Sequence, residues 1–203
     1  EVGTHATSEV TSGWLSNGVR FHHKFMDIRK DNVTITISLA AGAVQENATN
    51  RGVSEVAGLA WAQPATQHLT STNIRDLMTG KKVSVRGGSG GGMMGRMMGG
   101  GGDDAMSLSV SGSPADLETG LQLAHLLLTE PKIEQTAFDQ WKEGQRQMNE
   151  MFGKNPMAAF GKLVSETIYP KEDVRTQMLT MEQANALTIE GAQAWLDHAI
   201  KTA

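Results

Sequence analysis

Six histidines are the side chains from which a metal or acid–base centre would first be built: His5, His22, His23, His68, His125 and His198. A helix-borne metal site needs histidines four apart, a strand-borne one needs alternate positions, and a carboxylate often completes either. His22 and His23 are adjacent, so a strand points them to opposite faces and they cannot chelate one ion together. His125 sits within the apolar run Leu123–Leu128 and reads as a core or boundary residue rather than a ligand. No H-x-x-E-H, H-x-H or H-x-E spacing occurs anywhere in the chain. Gly112-Ser113 is better suited to capping a helix than to supplying a nucleophile. The residues alone therefore give no catalytic constellation.

The other chemically suggestive text is VRGGSGGGMMGRMMGGGGDD, residues 85–104. Ten of the sixteen residues 87–102 are glycine and four are methionine, so the stretch has backbone amides and thioethers but little else to offer. Gly90-Gly-Gly-Met-Met-Gly95 satisfies the bare G-x-G-x-x-G pattern but opens no helix, and no acidic residue sits at a suitable distance on a following strand. A phosphate loop ends in Gly-Lys-Ser/Thr, whereas Gly80-Lys81-Lys82 runs into Val83. The pairs Met93-Met94 and Met97-Met98 could present sulfur to a soft ion such as Cu(I), without Cys or His to help. The plainer expectation is a flexible loop over residues 87–102, with Asp103-Asp104 keeping it solvated.

Composition narrows the classes further. With 203 residues, 39% hydrophobic and 20% charged, the chain can bury a sizeable core and is not compositionally disordered. The net charge is −4 and the eighteen Lys and Arg are scattered, which gives nucleic acid no basic stripe to bind. No apolar run is long enough to predict a membrane span. The absence of cysteine removes disulfides and thiol nucleophiles without fixing a compartment.

The elements that would position any site follow from periodicity. After a polar lead-in, Val19–Phe25 reads as a strand opening at Ser16-Asn17-Gly18. Residues 33–40, VTITISLA, alternate apolar with hydroxyl side chains, the period of a half-buried strand. Arg51–Ala62 shifts to helical spacing, with Val53, Val56, Ala57 and Ala60 on one side, and Pro64 soon interrupts it. A short helix over Thr72–Thr79 stops at Gly80. Lys82–Arg86 and Met106–Ser111 are strands joined across the glycine stretch as a hairpin with a very long connection. Ser113-Pro114-Ala115-Asp116 then opens a helix whose apolar stripe is Leu117, Leu121, Ala124 and Leu128. Further helices are predicted at Glu134–Phe152, Pro156–Ile168 and Thr188–Ile200. Strands first and helices afterwards predict an α+β two-layer sandwich: one mainly antiparallel sheet, helices on one face, and a single domain over 1–203.

This order of elements, with particular residues in it, resembles one repeat of the insulinase/pitrilysin family of zinc metallopeptidases, which includes mitochondrial processing peptidase and long single-chain bacterial zinc proteases. The resemblance is carried by Leu15-Ser-Asn-Gly18-Val19, by Ser38-Leu-Ala-Ala-Gly42-Ala, and by Arg51-Gly52-Val-Ser-Glu-Val-Ala. It continues through Gly112-Ser-Pro-Ala-Asp116-Leu-Glu-Thr-Gly-Leu121, Thr129-Glu-Pro131, Phe138 and Asn155-Pro156, spanning about Trp14 to Ala199. The family's zinc motif, H-x-x-E-H, belongs on the helix after the second strand. In this sequence its slots fall on Glu55, Val56, Ala57, Gly58 and Leu59. Both histidine slots (Glu55, Leu59) and the general-base slot (Gly58) are therefore degenerate. The family's third ligand falls near Glu150, which alone would not hold zinc, so no catalytic or metal residue is assigned.

The resemblance thus implies an inactive repeat of a bacterial metalloprotease, with zinc in the active repeat of a longer parent chain. Its implied work is to enclose a peptide substrate, with other repeats or a catalytic subunit of the same peptidase as partners. The alternative is a stand-alone inactive subunit that assembles with a separate catalytic zinc peptidase. The expected compartment of the parent is the periplasm or cell envelope, with the cytoplasm as the other candidate.

Overall fold

Hydroxyl and apolar side chains alternate in two segments of this chain, and those segments pair in one sheet with a third. The computed structural model describes residues 2–89, 104–169 and 178–202, and they divide into two compact units, Glu1–Asn32 and Val33–Ala203.

The first unit is a three-stranded antiparallel meander of β1 (Val2–His5), β2 (Val10–Trp14) and β3 (Arg20–His23). β3 lies within the segment expected as a strand, but β1 and β2 occupy the polar lead-in. There a tight turn, closed by the Glu9 N–H on the His5 carbonyl at 2.8 Å, pairs Val2 with Gly13 and His5 with Val10. Because β3 pairs with β2, the expected single sheet is in fact two.

The second unit contains β4 (Val33–Leu39), β5 (Val83–Ser89) and β6 (Met106–Gly112), in the order β4-β6-β5, all antiparallel. The expected hairpin of the last two strands is present. β5 runs further than the periodicity suggests, so Gly87, Gly88 and Ser89 are strand residues opposite Leu108, Ser107 and Met106 rather than loop. The remainder of the expected flexible loop, residues 90–102, lies outside the described residues.

Two short helices, α1 (Val53–Ala62) and α2 (Ser71–Met78), precede the hairpin. After it come α3 (Leu117–Thr129), α4 (Gln135–Lys154), α5 (Pro156–Ile168), α6 (Met181–Ala186) and α7 (Ile189–Thr202). Thr70 and Thr180 open α2 and α6 with reciprocal capping boxes to Asn73 and Gln183. None of these helices is long and apolar enough to cross a membrane.

Met106, Leu108 and Val110 of β6 are fully buried, as are Val56, Ala57, Ala60 and Trp61 of α1. They form one cluster with Val83, Val85, Leu123, Leu127 and Leu196. Helices therefore cover one face of the β4-β6-β5 sheet, the α+β layering expected. The buried Trp61 indole donates to the Leu127 carbonyl at 2.9 Å, which ties α1 to the end of α3 and satisfies the one polar atom of a large apolar side chain. Gln193 of α7 receives the Ile133 N–H at 3.2 Å and donates to the Pro131 carbonyl at 2.9 Å, stapling the α3–α4 connection.

The buried stripe of α3 differs from the expected one. Gly120, Leu123, Ala124 and Leu127 face the core, while Leu121 is 40% exposed. A Cβ at position 120 would lie 2.7 Å from both Val110 and Val83, so the helix seats its smallest residue where the sheet comes closest. His125 is consequently exposed, at the edge of a shallow depression with Leu117 and Leu121.

The entry to α1 is held by a buried carboxylate. Glu46 pairs with the Arg51 guanidinium, and their side chains are 0% and 4% exposed. The same carboxylate accepts the Gly52 and Ser54 N–H groups, each at 3.1 Å, and the Ser54 hydroxyl at 2.6 Å. It thereby satisfies two donors of the first helical turn that no carbonyl reaches. Removing one partner of a buried ion pair strands the other charge in a low dielectric, so Glu46→Ala should cost roughly 3 kcal/mol in urea unfolding.

Candidate functional site

The positions to which the resemblance directs attention lie on α1, and their spacing does place them together. Glu55 and Leu59 are one turn apart, and Gly58 lies between them on the same side. What surrounds them is packing rather than an open centre. The Glu55 carboxylate receives the Trp141 indole N–H at 3.4 Å and the Gln145 amide at 3.3 Å, both from α4. Trp141 stacks on Phe138 with centroids 6.0 Å apart, and Lys142 Nζ lies 4.5 Å over the other aromatic ring. Leu59 is partly buried against the main core.

Gly58 meets backbone. A Cβ built there would lie 2.7 Å from the Ser89 nitrogen and 3.2 Å from the Gly88 Cα. Those atoms belong to the last residues of β5, and strand backbone cannot swing aside as a side-chain tip can. The slot where the family motif requires a glutamate thus has no room even for a methyl group without moving the strand.

Glu150 is placed on the exposed side of α4, where it pairs with Arg146 one turn earlier. Arg146 also holds Glu143 through two hydrogen bonds, Nε at 2.9 Å and Nη2 at 2.6 Å. These bonds from Arg146, with a further one from Gln147, pull the Glu143 carboxyl from its ordinary 4.5 down to about 2, and Glu143 in turn raises the Arg146 guanidinium. Glu150 is thus one arm of a helix-surface ion network. Among the described residues no group of three or more His, Asp or Glu is placed to hold a metal ion. The donor set at these slots, one engaged carboxylate and no imidazole, does not fit zinc.

The remaining histidines are dispersed. On the meander, His22 Nδ1 lies 2.7 Å from the Ser12 hydroxyl, while His23 sits opposite Thr11 in the next register position. The two rings are therefore on opposite faces, as their adjacency requires. His68 lies 3.6 Å from Glu130, with its side chain 82% exposed. The carboxylate that matters most to α1, Glu46, was not singled out by spacing. Its signal would have been an acid five residues before the Arg51-Gly52 that opens the helix.

Three solved structures show the fold to be shared. The periplasmic protease PqqL from Escherichia coli superposes with TM-score 0.79 at 21% identity, over 98% of this chain and 20% of that one. The ferredoxin protease FusC, solved in complex with Arabidopsis ferredoxin, gives TM-score 0.73 at 15% identity, over 98% of this chain and 21% of that one. A peptidase M16 inactive domain from Pseudomonas fluorescens gives TM-score 0.63 at 14% identity, over 95% of this chain and 50% of that one. At these identities the likeness shows the α+β fold of M16-type proteases. This chain spans about a fifth of the first two proteins and half of the third. No family model matches the sequence, and no curated protein matches it.

Two outcomes follow from the α1 and α4 geometry. Gly58→Ala gains helix propensity but forces α1 off β5, and should destabilise the chain by roughly 1–3 kcal/mol in denaturant titration. The Glu143 carboxyl should titrate by NMR with a midpoint of about 2 and move up towards 4.5 in Arg146→Gln. Because the folded value is depressed, this ion network contributes fully above pH 4.5 and is lost as pH falls to about 2.

Proposed function

We propose that this chain is a non-catalytic domain of a zinc metalloendopeptidase, one that encloses a peptide substrate while a separate, active repeat carries zinc and the general base. The observation that carries the reading is the closed contact of Gly58 with the β5 backbone, at the place where a catalytic repeat would need its glutamate. The glutamate and leucine in the two histidine slots, Glu55 and Leu59, point the same way. Similarity over 98% of the chain to two proteases about five times its length supports a part played within a larger enzyme. It also supports reading residues 1–203 as one repeat, with both units included. The peptidase M16 inactive domain from Pseudomonas fluorescens supports the non-catalytic role, and the periplasmic PqqL supports the periplasm as the compartment.

Exposed apolar residues support partner domains. Met157, Phe160, Leu163 and Ile168 of α5 are 60–75% exposed on a helix that packs on α4. A 13-residue helix gains little stability alone in water, so a neighbour that covers this face would contribute to holding it.

The test is the isolated chain. Metal analysis after equilibration with zinc should find well below one ion per chain, and an unfolded protein such as reduced casein should remain intact. Stoichiometric zinc or zinc-dependent cleavage would overturn the reading.

A further inference from the structure

The face of the β4-β6-β5 sheet that the helices do not cover carries hydroxyl groups in register. Thr34, Thr36 and Ser38 of β4 lie opposite Ser111, Ser109 and Ser107 of β6. The β4 residues are exposed and the β6 residues partly so. β5 adds Ser84 opposite Ser111 and Arg86 opposite Ser109. The Thr34 and Ser111 hydroxyls bond to each other at 2.9 Å, and the Ser84 hydroxyl donates to the Ser111 carbonyl at 3.3 Å. The rest of the face is left with hydroxyls free to turn outward.

Arg86 is the one charged side chain in this array, and it is exposed. Among the described residues it makes no ion pair and no hydrogen bond, whereas Lys81 at the start of the strand is neutralised by Asp116 at 3.6 Å. No carboxylate from β4, β5 or β6 shares the face. A solitary cation opposite Ser109, with Thr36 beyond it on β4 and Ser107 one pair along β6, offers charge-assisted donors to a carboxylate, and the hydroxyls offer adaptable secondary donors. The rows also repeat along each strand at about 6.8 Å, the spacing of alternate side chains on any extended chain. An extended peptide laid along the strands therefore meets a hydroxyl row with every second residue.

We infer that this hydroxyl face, centred on Arg86, binds an extended acidic peptide segment, taking one of its carboxylates at the guanidinium. The inference rests on the substrate-enclosing reading above and names the surface that does the enclosing. Affinity from such a face is low and sequence-tolerant, because it depends on one charge and on rotatable hydroxyls rather than on apolar pockets.

The experiment uses the 203-residue chain, ¹⁵N-labelled at low ionic strength. The probe is an unstructured peptide of Gly and Ser with Glu at every second position; a second peptide carries Gln at those positions. The Glu peptide should shift amides of β4, β5 and β6 around Arg86, and should bind roughly fivefold more tightly than the Gln peptide. Arg86→Gln should remove that difference while leaving binding of the Gln peptide unchanged. Thr36→Val with Ser109→Ala should weaken both peptides alike. Absence of shifts on this face, or equal binding of the two peptides to the native chain, would overturn the inference. Binding of both peptides at some other surface would do so while leaving the enclosing role intact. Zinc or cleavage by the isolated chain would instead remove the role itself, however Arg86 behaves.

Discussion

The Glu46 carboxylate is the constraint on which the second unit turns. Taking a carboxylate out of water is expensive, and here the cost is offset by one guanidinium and three donors around the first turn of α1. Any other start for α1 would leave that charge without partners. The anchor therefore fixes which residues of α1 look at the sheet. Val56, Ala57 and Ala60 go into the core, Gly58 goes against Gly88 and Ser89, and Glu55 is turned towards α4. A local polar arrangement at residues 46–54 thus decides the environment of all three motif slots.

The sheet beneath α1 divides the labour between its faces. Helices press on the apolar side, where Met106, Leu108 and Val110 are sealed from solvent. The opposite side is built from small hydroxyl residues that neither require burial nor attract apolar partners. A sheet with one dry face is supported from behind, and its wet face presents hydroxyls around a single charge, Arg86.

Much of this was legible in the sequence, and the exceptions have physical reasons. β4 and β6 could be read because valine, isoleucine, leucine and methionine alternate with threonine and serine over seven residues, and burial follows that alternation. β1 and β2 could not, since Val2-Gly-Thr-His5 and Val10-Thr-Ser-Gly-Trp14 are small, largely polar strands held by pairing rather than by a buried face. On α3 two leucine-bearing faces compete, and only the close approach of Val83 and Val110 to Gly120 decides between them. That approach joins residues from three separate elements, which no single window contains. The partners of Glu55, Trp141 and Gln145, are 86 and 90 positions away. The motif slots were found by resemblance, but what encloses them could be seen only in three dimensions.

The contact at Gly58 also bears on how such a domain would change over generations. On the reading proposed above, a lineage whose α1 has settled against β5 at this point has closed a door behind itself. A glutamate returning to position 58 would first have to push the strand away, losing folded molecules at once. The benefit of a proton acceptor would arrive only after two histidines had also been restored. Selection sees the loss before it sees the gain. Where a glycine's missing side chain has been replaced by another strand's backbone, inactivity becomes a property of the architecture, and point mutation has no short path back.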